Sequence, residues 1–252
     1  RNITKRSNST YKLMKTVTPY STNKGKKKEV TKMFDNIASS YDFLNHTLSL
    51  GMDNLWRKIA IKKITNQPKH ILDIATGTAD FAISASKYTD AHITGIDISK
   101  GMLAIGINKI NKRQLDDRIK LELADSENLP FDDNSYDAIT AGFGVRNFEN
   151  LNKGLSEMFR TLKRNGIVAI LEPSEPLSFP LKQFYRLYFH HILPFIGGII
   201  SNDKRAYTYL PSSVSAFPSG NKFITELEKA GFSKCQHIPL TFGIVSLYIA
   251  IK

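Results

Sequence analysis

The 252-residue sequence predicts a single α/β domain on a doubly wound, mostly parallel, seven-stranded sheet. An antiparallel strand from a C-terminal hairpin completes the sheet, and helical insertions lie at the N-terminal side and before the last helix. Three observations predict this. Between residues 70 and 173, short β-type runs alternate with stretches of helical period, the pattern of a parallel sheet with helices on both faces. Near the end of the chain two strand-like runs, 234–242 and 244–251, are separated by Gly243 alone and read as a hairpin. The first strand ends in a small-residue loop, and a second strand ends in an acid about twenty residues later, a spacing typical of doubly wound folds.

Charge divides the chain before any element is assigned. Residues 1–32 hold ten Lys and Arg against Glu29 alone, a net of +9, while residues 33–252 hold 25 basic and 22 acidic residues, a net of +3. The overall +12 therefore belongs mostly to a leader and does not mark the folded part as a nucleic-acid binder. Residues 1–29 are expected to be a flexible basic tail and 30–252 a single domain. A hydrophobic content of 41% excludes a disordered chain, and Cys235, the single cysteine, excludes a disulfide framework or a cysteine-rich metal site. No apolar run is long enough to span a bilayer, and the tail lacks the apolar stretch of a secretory signal. The expectation is cytoplasmic.

The elements follow in order. In residues 31–64, Met33, Phe34, Ile37 and Tyr41 can share one helical face, and Leu55, Ile59 and Ile64 continue on a later helix. HILDIA (70–75) leads to a helix over 79–87, and HITGIDI (92–98) to one over 101–112. IKLELAD (119–125) is the third strand. YDAITAGFG (136–144) leads to a helix over about 150–164, and GIVAILEP (166–173) follows it. The stretch 177–200 is densely apolar and aromatic, interrupted by Pro180 and Pro194, and a last helix covers 221–230.

The segment ILDIATGTAD is the most informative. A strand ends at Asp73, a loop runs through Ala75, Thr76, Gly77 and Thr78, and a helix begins near Ala79. Small residues let the backbone approach a ligand, and the helix N-terminus supplies free N–H groups. Asp97, ending the second strand, is placed to accept both hydroxyls of a ribose. A nicotinamide site uses three glycines to seat a pyrophosphate. Here Gly77 stands alone, and Asp73 would repel that group. An acid at this place suits a cationic ligand with an amino group, such as S-adenosylmethionine. Asp125 and Ser126 follow the third strand, where a carboxylate can meet the adenine amine, and Gly142 and Phe143 end the fourth, over the cleft. Taken singly these could be a β–α turn, a helix cap and a turn. Together, at successive strand ends, they point to the sulfonium cofactor.

With those residues in view, the chain resembles the ubiquinone/menaquinone-biosynthesis C-methyltransferases, a family of class I S-adenosylmethionine-dependent methyltransferases with a Rossmann-like fold. The similarity runs from about Val30 to Lys252. It is carried by YDFLNHTLSLGMDNLWRK (41–58), ILDIATGTADFAI (71–83), ADSENLPFDDNSYDAITAGFGVRNFEN (124–150) and RTLKRNGIVAILEPSEP (160–176). The run YTYLPSSVSAFP (207–218) is similar to the bacterial menaquinone branch. The resemblance implies Thr78, Asp97, Asp125 and Ser126 as cofactor positions. The chain departs from the family at Thr76 and Ala79, where many members have glycine, at His46, where others have Asp, and at Gly142, where Ser is frequent. Ala79 is expected to set a methyl near the cofactor and narrow the loop, and no catalytic role is given to His46.

The reaction implied is methylation of a ring carbon of a prenylated quinol, demethylmenaquinol to menaquinol by branch resemblance. The methyl donor is already activated, so no metal is expected. The protein must hold the partners together, assist loss of a phenolic proton and exclude water. Arg146 and Asn147, which the family pattern carries, are the candidate catalytic pair, Arg146 stabilising phenolate over the methyl. His190 and His191 have a suitable pKa range but sit in an apolar stretch. Tyr41 and Asp42 could close over the substrate or simply pack and cap. Trp56 reads as core, and Cys235 as a buried, inert thiol. Residues 177–215 are expected to form a lid and substrate insertion that touches the membrane, making the protein peripheral on its inner face. No nucleic-acid partner is expected, and self-association is left open. The rival readings are a methyltransferase for another small lipophilic acceptor or, less favoured, for RNA.

Overall fold

The computed structural model describes residues 17–22, 24–176, 178–188 and 203–252. Its strands are β1 (His70–Ile74), β2 (His92–Asp97), β3 (Ile119–Leu123), β4 (Tyr136–Gly142), β5 (Leu162–Pro173), β6 (Ser233–Leu240) and β7 (Val245–Ile251), in the order β3-β2-β1-β4-β5-β7-β6. β7 alone runs against the other six, inserted between β5 and β6 and antiparallel to both. The order reverses between β1 and β4, which pair in parallel. In an open α/β sheet that reversal leaves a crevice beyond the strand ends. The loops after β1 and β4 occupy it here.

The helices are α1 (Lys26–Leu48), α2 (Met52–Lys62), α3 (Asp80–Tyr88), α4 (Lys100–Lys112), α5 (Leu151–Thr161), α6 (Leu181–Leu187), α7 (Lys204–Ala216) and α8 (Asn221–Lys229). Both faces of the sheet are covered, so the central strands are apolar at nearly every position. Successive residues enter opposite cores. Ile71, Ala138, Ile167 and Leu247 pack with Trp56 and Ala60 of α2 and Phe81 of α3. Leu72, Ile139, Val168 and Tyr248 pack with Leu155 of α5 and Phe223 of α8. A third cluster joins Met33 and Ile37 of α1 to Met102 of α4 and Tyr207 and Tyr209 of α7. Side-chain caps start three of the described helices: Ser99 Oγ accepts from Met102 N at 3.1 Å, Asn150 Oδ1 from Lys153 N at 3.1 Å, and Asp203 Oδ1 from Arg205 N at 3.0 Å.

Several expectations need correction. The buried stripe of α2 is Trp56, Ala60 and Ile61, while Leu55 is 52% exposed. Spacing alone does not separate this surface leucine from the apolar face. The fifth helix stops at Thr161 rather than about 164, because Leu162 is already extended and pairs with Tyr136. Asn165, at φ 62°, then shifts the register before Ile167 meets Ala138. α1 begins at Lys26, within the stretch read as tail, and Val17 and Tyr20 pack against the third cluster. Gly243 is not the sole spacer of the hairpin: Thr241, Phe242 and Gly243 all take left-handed conformations in a short 3-10 turn. Cys235 lies on the outer strand β6 and is only partly buried. No described helix is long and apolar enough to cross a membrane.

Candidate active site

Three adjoining cavities lie at the carboxyl ends of the parallel strands. A cleft is lined by Gly77, Asp97, Asp125, Ser126 and Gly142, with Asn147 at its side and the first turns of α1 as its roof. Behind it a smaller recess takes in Asp73, Thr78, Arg57 and Asp80. The third cavity, of about 430 Å³, is walled by apolar and aromatic side chains of α1, α2, α6 and α7. Tyr41 and Phe143 border all three, so the cavities meet there. Of the sequence-predicted residues, five share the cleft, Asp73 and Thr78 sit in the recess, and Arg146 and Asn147 face different cavities.

The loop after β1 owes its path to three left-handed residues, Ala75, Gly77 and Ala79, at φ 52°, 56° and 67°. Asp97 holds it: Oδ2 accepts from Gly77 N and Oδ1 from Ser99 N, both at 2.9 Å. Burial pushes the Asp97 carboxyl up, against the pull of these N–H donors. The loop after β4 comes so close that a Cβ on Gly144 would meet the Ala75 Cβ at 2.5 Å. Asp73 is fully buried and does not point freely into the cleft. Its oxygens accept from Thr76 Oγ1 at 2.5 Å and Thr140 Oγ1 at 2.7 Å, and burial raises its pKa to about 6. Ala79 also departs from expectation. Its side chain is buried toward Gly106 of α4 rather than narrowing the cleft, because the left-handed backbone turns it inward.

Sequence reasoning missed the contribution of the first turns of α1. Lys27 Nζ reaches Asp125 Oδ2 at 2.7 Å and Glu127 Oε2 at 3.2 Å. Beside it Lys26 Nζ donates to the carbonyls of Arg146 and Phe148 at 3.0 and 2.8 Å, and burial, then the charge of Arg146, lowers its pKa to about 8. These lysines looked like part of a leader. Only contacts across more than 95 residues of sequence reveal their task.

Arg146 follows β4 in a 3-10 turn, where Nη1 pairs with Glu172 Oε2 at 3.0 Å and donates to the Phe143 carbonyl. Glu172, on β5, is fully buried and its carboxyl is pushed up by burial, with Arg146 opposing. The guanidinium is thus committed to a buried ion pair at the wall of the third cavity. Asn147 Oδ1 accepts from Tyr209 Oη at 3.1 Å, and its Nδ2 is buried without a hydrogen-bond partner among the described residues. Thr78 Oγ1 donates to Asp42 Oδ1 at 2.5 Å, and Lys109 Nζ binds Asp42 Oδ2 at 2.8 Å and also Asp80. Asp42 thereby ties α1 to the loop. Trp56, read as core, does pack inside but also lines the third cavity. His46, Asp53 and Asp80 bring metal-type ligand atoms within 4.8 Å, yet Arg57 pairs with Asp53 at 2.5 Å and Lys109 with Asp80. The carboxylates are balanced by cations. His190 and His191 lie outside the described residues, as does part of the insertion 177–215.

A cleft with acids at successive strand tips suits a cationic nucleoside, and an apolar cavity beside it suits a lipophilic acceptor. Among solved structures the chain is similar to an S-adenosylmethionine-dependent methyltransferase of Thermotoga maritima, TM-score 0.62 at 18% identity, covering 88% of this chain and 99% of that one. It is also similar to phosphoethanolamine N-methyltransferase 2 of Haemonchus contortus, solved with S-adenosyl-L-methionine, TM-score 0.57 at 18% identity, covering 79% and 52%. Among curated proteins it is 46% identical to the demethylmenaquinone methyltransferase of Bacteroides fragilis over 94% of this chain and 97% of that one. It is 45% identical to the ubiquinone/menaquinone biosynthesis C-methyltransferase UbiE of Geotalea daltonii, over 92% and 98%. The model of the ubiE/COQ5 methyltransferase family matches residues 22–252, and the chain belongs to that family.

Proposed function

We propose that the protein transfers a methyl group from S-adenosylmethionine to a ring carbon of a prenylated quinol, converting demethylmenaquinol to menaquinol. The observation that carries this reading is the junction at Tyr41 and Phe143, where the acid-tipped cleft opens onto the aromatic cavity. When bound, the cofactor supplies an activated methyl on a cationic sulfur. In the cleft, Asp97 would hold the ribose hydroxyls and Asp125 with Ser126 the adenine amine. Gly77 and Gly142 leave room for close approach, and Asp73 and Thr78 set the loop from behind. In the third cavity Arg146 would stabilise the phenolate that forms when the quinol loses its proton to water, and at the side of the cleft the buried Asn147 amide would donate to a ligand oxygen. Tyr41, Phe143 and Trp56 exclude water from the ring. The prenyl chain would leave past Phe184, which lines the cavity and is 66% exposed, toward the membrane.

The test is methyl transfer from labelled cofactor to reduced demethylmenaquinone, with a sterol and a phospholipid amine as rival acceptors. Ring methylation by the wild type, lost in Asp97→Ala, is the expected outcome. Absence of product with the reduced quinone, or preference for a rival acceptor, would overturn the reading.

A further inference from the structure

On the outer side of α1, away from the cleft, a groove of about 350 Å³ runs between the segment 17–22, α1 and the start of α7. Four cations line it, Lys24, Lys28, Lys32 and Arg205, and none pairs with a carboxylate among the described residues. Lys28 and Lys32 stand one helical turn apart on an exposed face, and Lys32 Nζ and the Arg205 guanidinium both stand over the Tyr20 ring, at 5.6 and 5.8 Å from its centroid. The groove's two acids are engaged elsewhere. Glu29 is buried and accepts from the backbone N–H groups of Tyr20 and Thr22 at 2.7 and 2.6 Å. Asp203 accepts from Tyr20 Oη, from Asn36 Nδ2 at 3.1 Å and from Arg205 N at 3.0 Å as the cap of α7. What the groove offers to solvent is a set of cations about an aromatic ring, and with residues 17–32 counted in the fold the described part of the molecule carries a net positive charge.

We infer that this groove docks the protein on the phosphate-bearing surface of an anionic membrane. α1 and α7 each have two sides: Lys28, Lys32 and Arg205 face the groove, while Phe34, Ile37, Tyr207 and Tyr209 wall the apolar cavity. The two helices thus carry the groove's cations on one side and the cavity's wall on the other. Leu50 and Phe184, on the cavity's lining, are 83% and 66% exposed. A polyanion such as RNA would meet the same charges but would not bring the apolar cavity its lipophilic acceptor. The inference rests on the lipophilic-acceptor reading only for the reason an enzyme would visit a membrane.

The experiment is flotation of the full chain with vesicles of phosphatidylcholine alone or mixed with phosphatidylglycerol. Binding should require the anionic lipid and fall with salt. Each cation removed should weaken it about fivefold, so that Lys28→Gln/Lys32→Gln/Arg205→Gln loses roughly a hundredfold. The same variant should methylate a soluble short-chain quinol like the wild type but lose turnover of a long-chain quinol in anionic vesicles. Should neither quinol be methylated, the reaction proposed above fails while the vesicle result still decides the groove. Amine acetylation of the wild type gives a measure independent of any variant, with Lys28 and Lys32 protected by anionic vesicles only. Wild-type vesicle affinity in the triple variant, or unprotected lysines, would overturn the proposal. So would loss of binding on removing residues 1–16 alone, or groove-dependent binding of an RNA oligonucleotide without vesicle binding.

Discussion

Asp73 and Arg146 show how little a residue's place in a motif says about its state. Both stand where the sequence put them, at the end of β1 and just beyond β4, but each is occupied by neighbours from distant sequence. Strand-end acids are legible because a strand's limits follow from its apolar run. The hydroxyls of Thr76 and Thr140 and the carboxylate of Glu172 are not, since they come from packing. The Asp73 carboxyl, raised by burial from 3.8 to about 6, is ionised in the unfolded chain and still protonated in the fold between these values. Stability from this group is therefore present below pH 3.8 and lost as pH rises through about 6. Asp73→Asn lacks the effect, so its stability relative to wild type should rise by about 2 kcal/mol from pH 4 to pH 7, at about 1.36 kcal/mol per pKa unit. Chemical denaturation of the ligand-free protein at both pH values measures this; a constant difference would contradict it. At Arg146, truncation to Ala strands the buried Glu172 and should cost about 3–5 kcal/mol. Arg146→Ala/Glu172→Gln should recover most of that stability in urea titrations without recovering methyl transfer.

At the scale of elements, the alternation of strand and helix was readable because each has its own apolar period. The exceptions have physical reasons. α2 buries Trp56 rather than Leu55 because its direction is set by the turn at Leu50 and Gly51, both left-handed, and local pattern carries no record of that turn. α5 ends early because β5 captures Leu162 in pairing with Tyr136. The first turns of α1 are rich in lysine and looked solvated, yet they roof the cleft through contacts with Asp125 and the loop after β4. The site also depends on a tight fit between loops, since a side chain on Gly144 would run into Ala75. Gly144→Ala should push the loops after β1 and β4 apart, costing about 1–3 kcal/mol as overpacking does. Calorimetry of cofactor binding should show weakened affinity alongside a lowered Tm. An unchanged affinity would mean that the two loops do not act together.

For the molecule as a whole, the doubly wound architecture and its hairpin were legible, and the position of β7 inside the sheet gives the hairpin its weight. β7 pairs with β5 over seven residues and with β6 on its other side, and Leu247, Tyr248 and Ala250 are wholly buried. Removing residues 243–252 should leave β5 with an unpaired apolar edge. A chain without them is expected to show no cooperative unfolding transition by circular dichroism, while loss of residues 1–16 should leave the transition in place.

The long helix α1 walls the apolar cavity with Met33 and Ile37 and roofs the cleft with Lys27 and Val30. Because one helix borders both compartments, a substitution that displaces α1 should disturb the donor site and the acceptor site together.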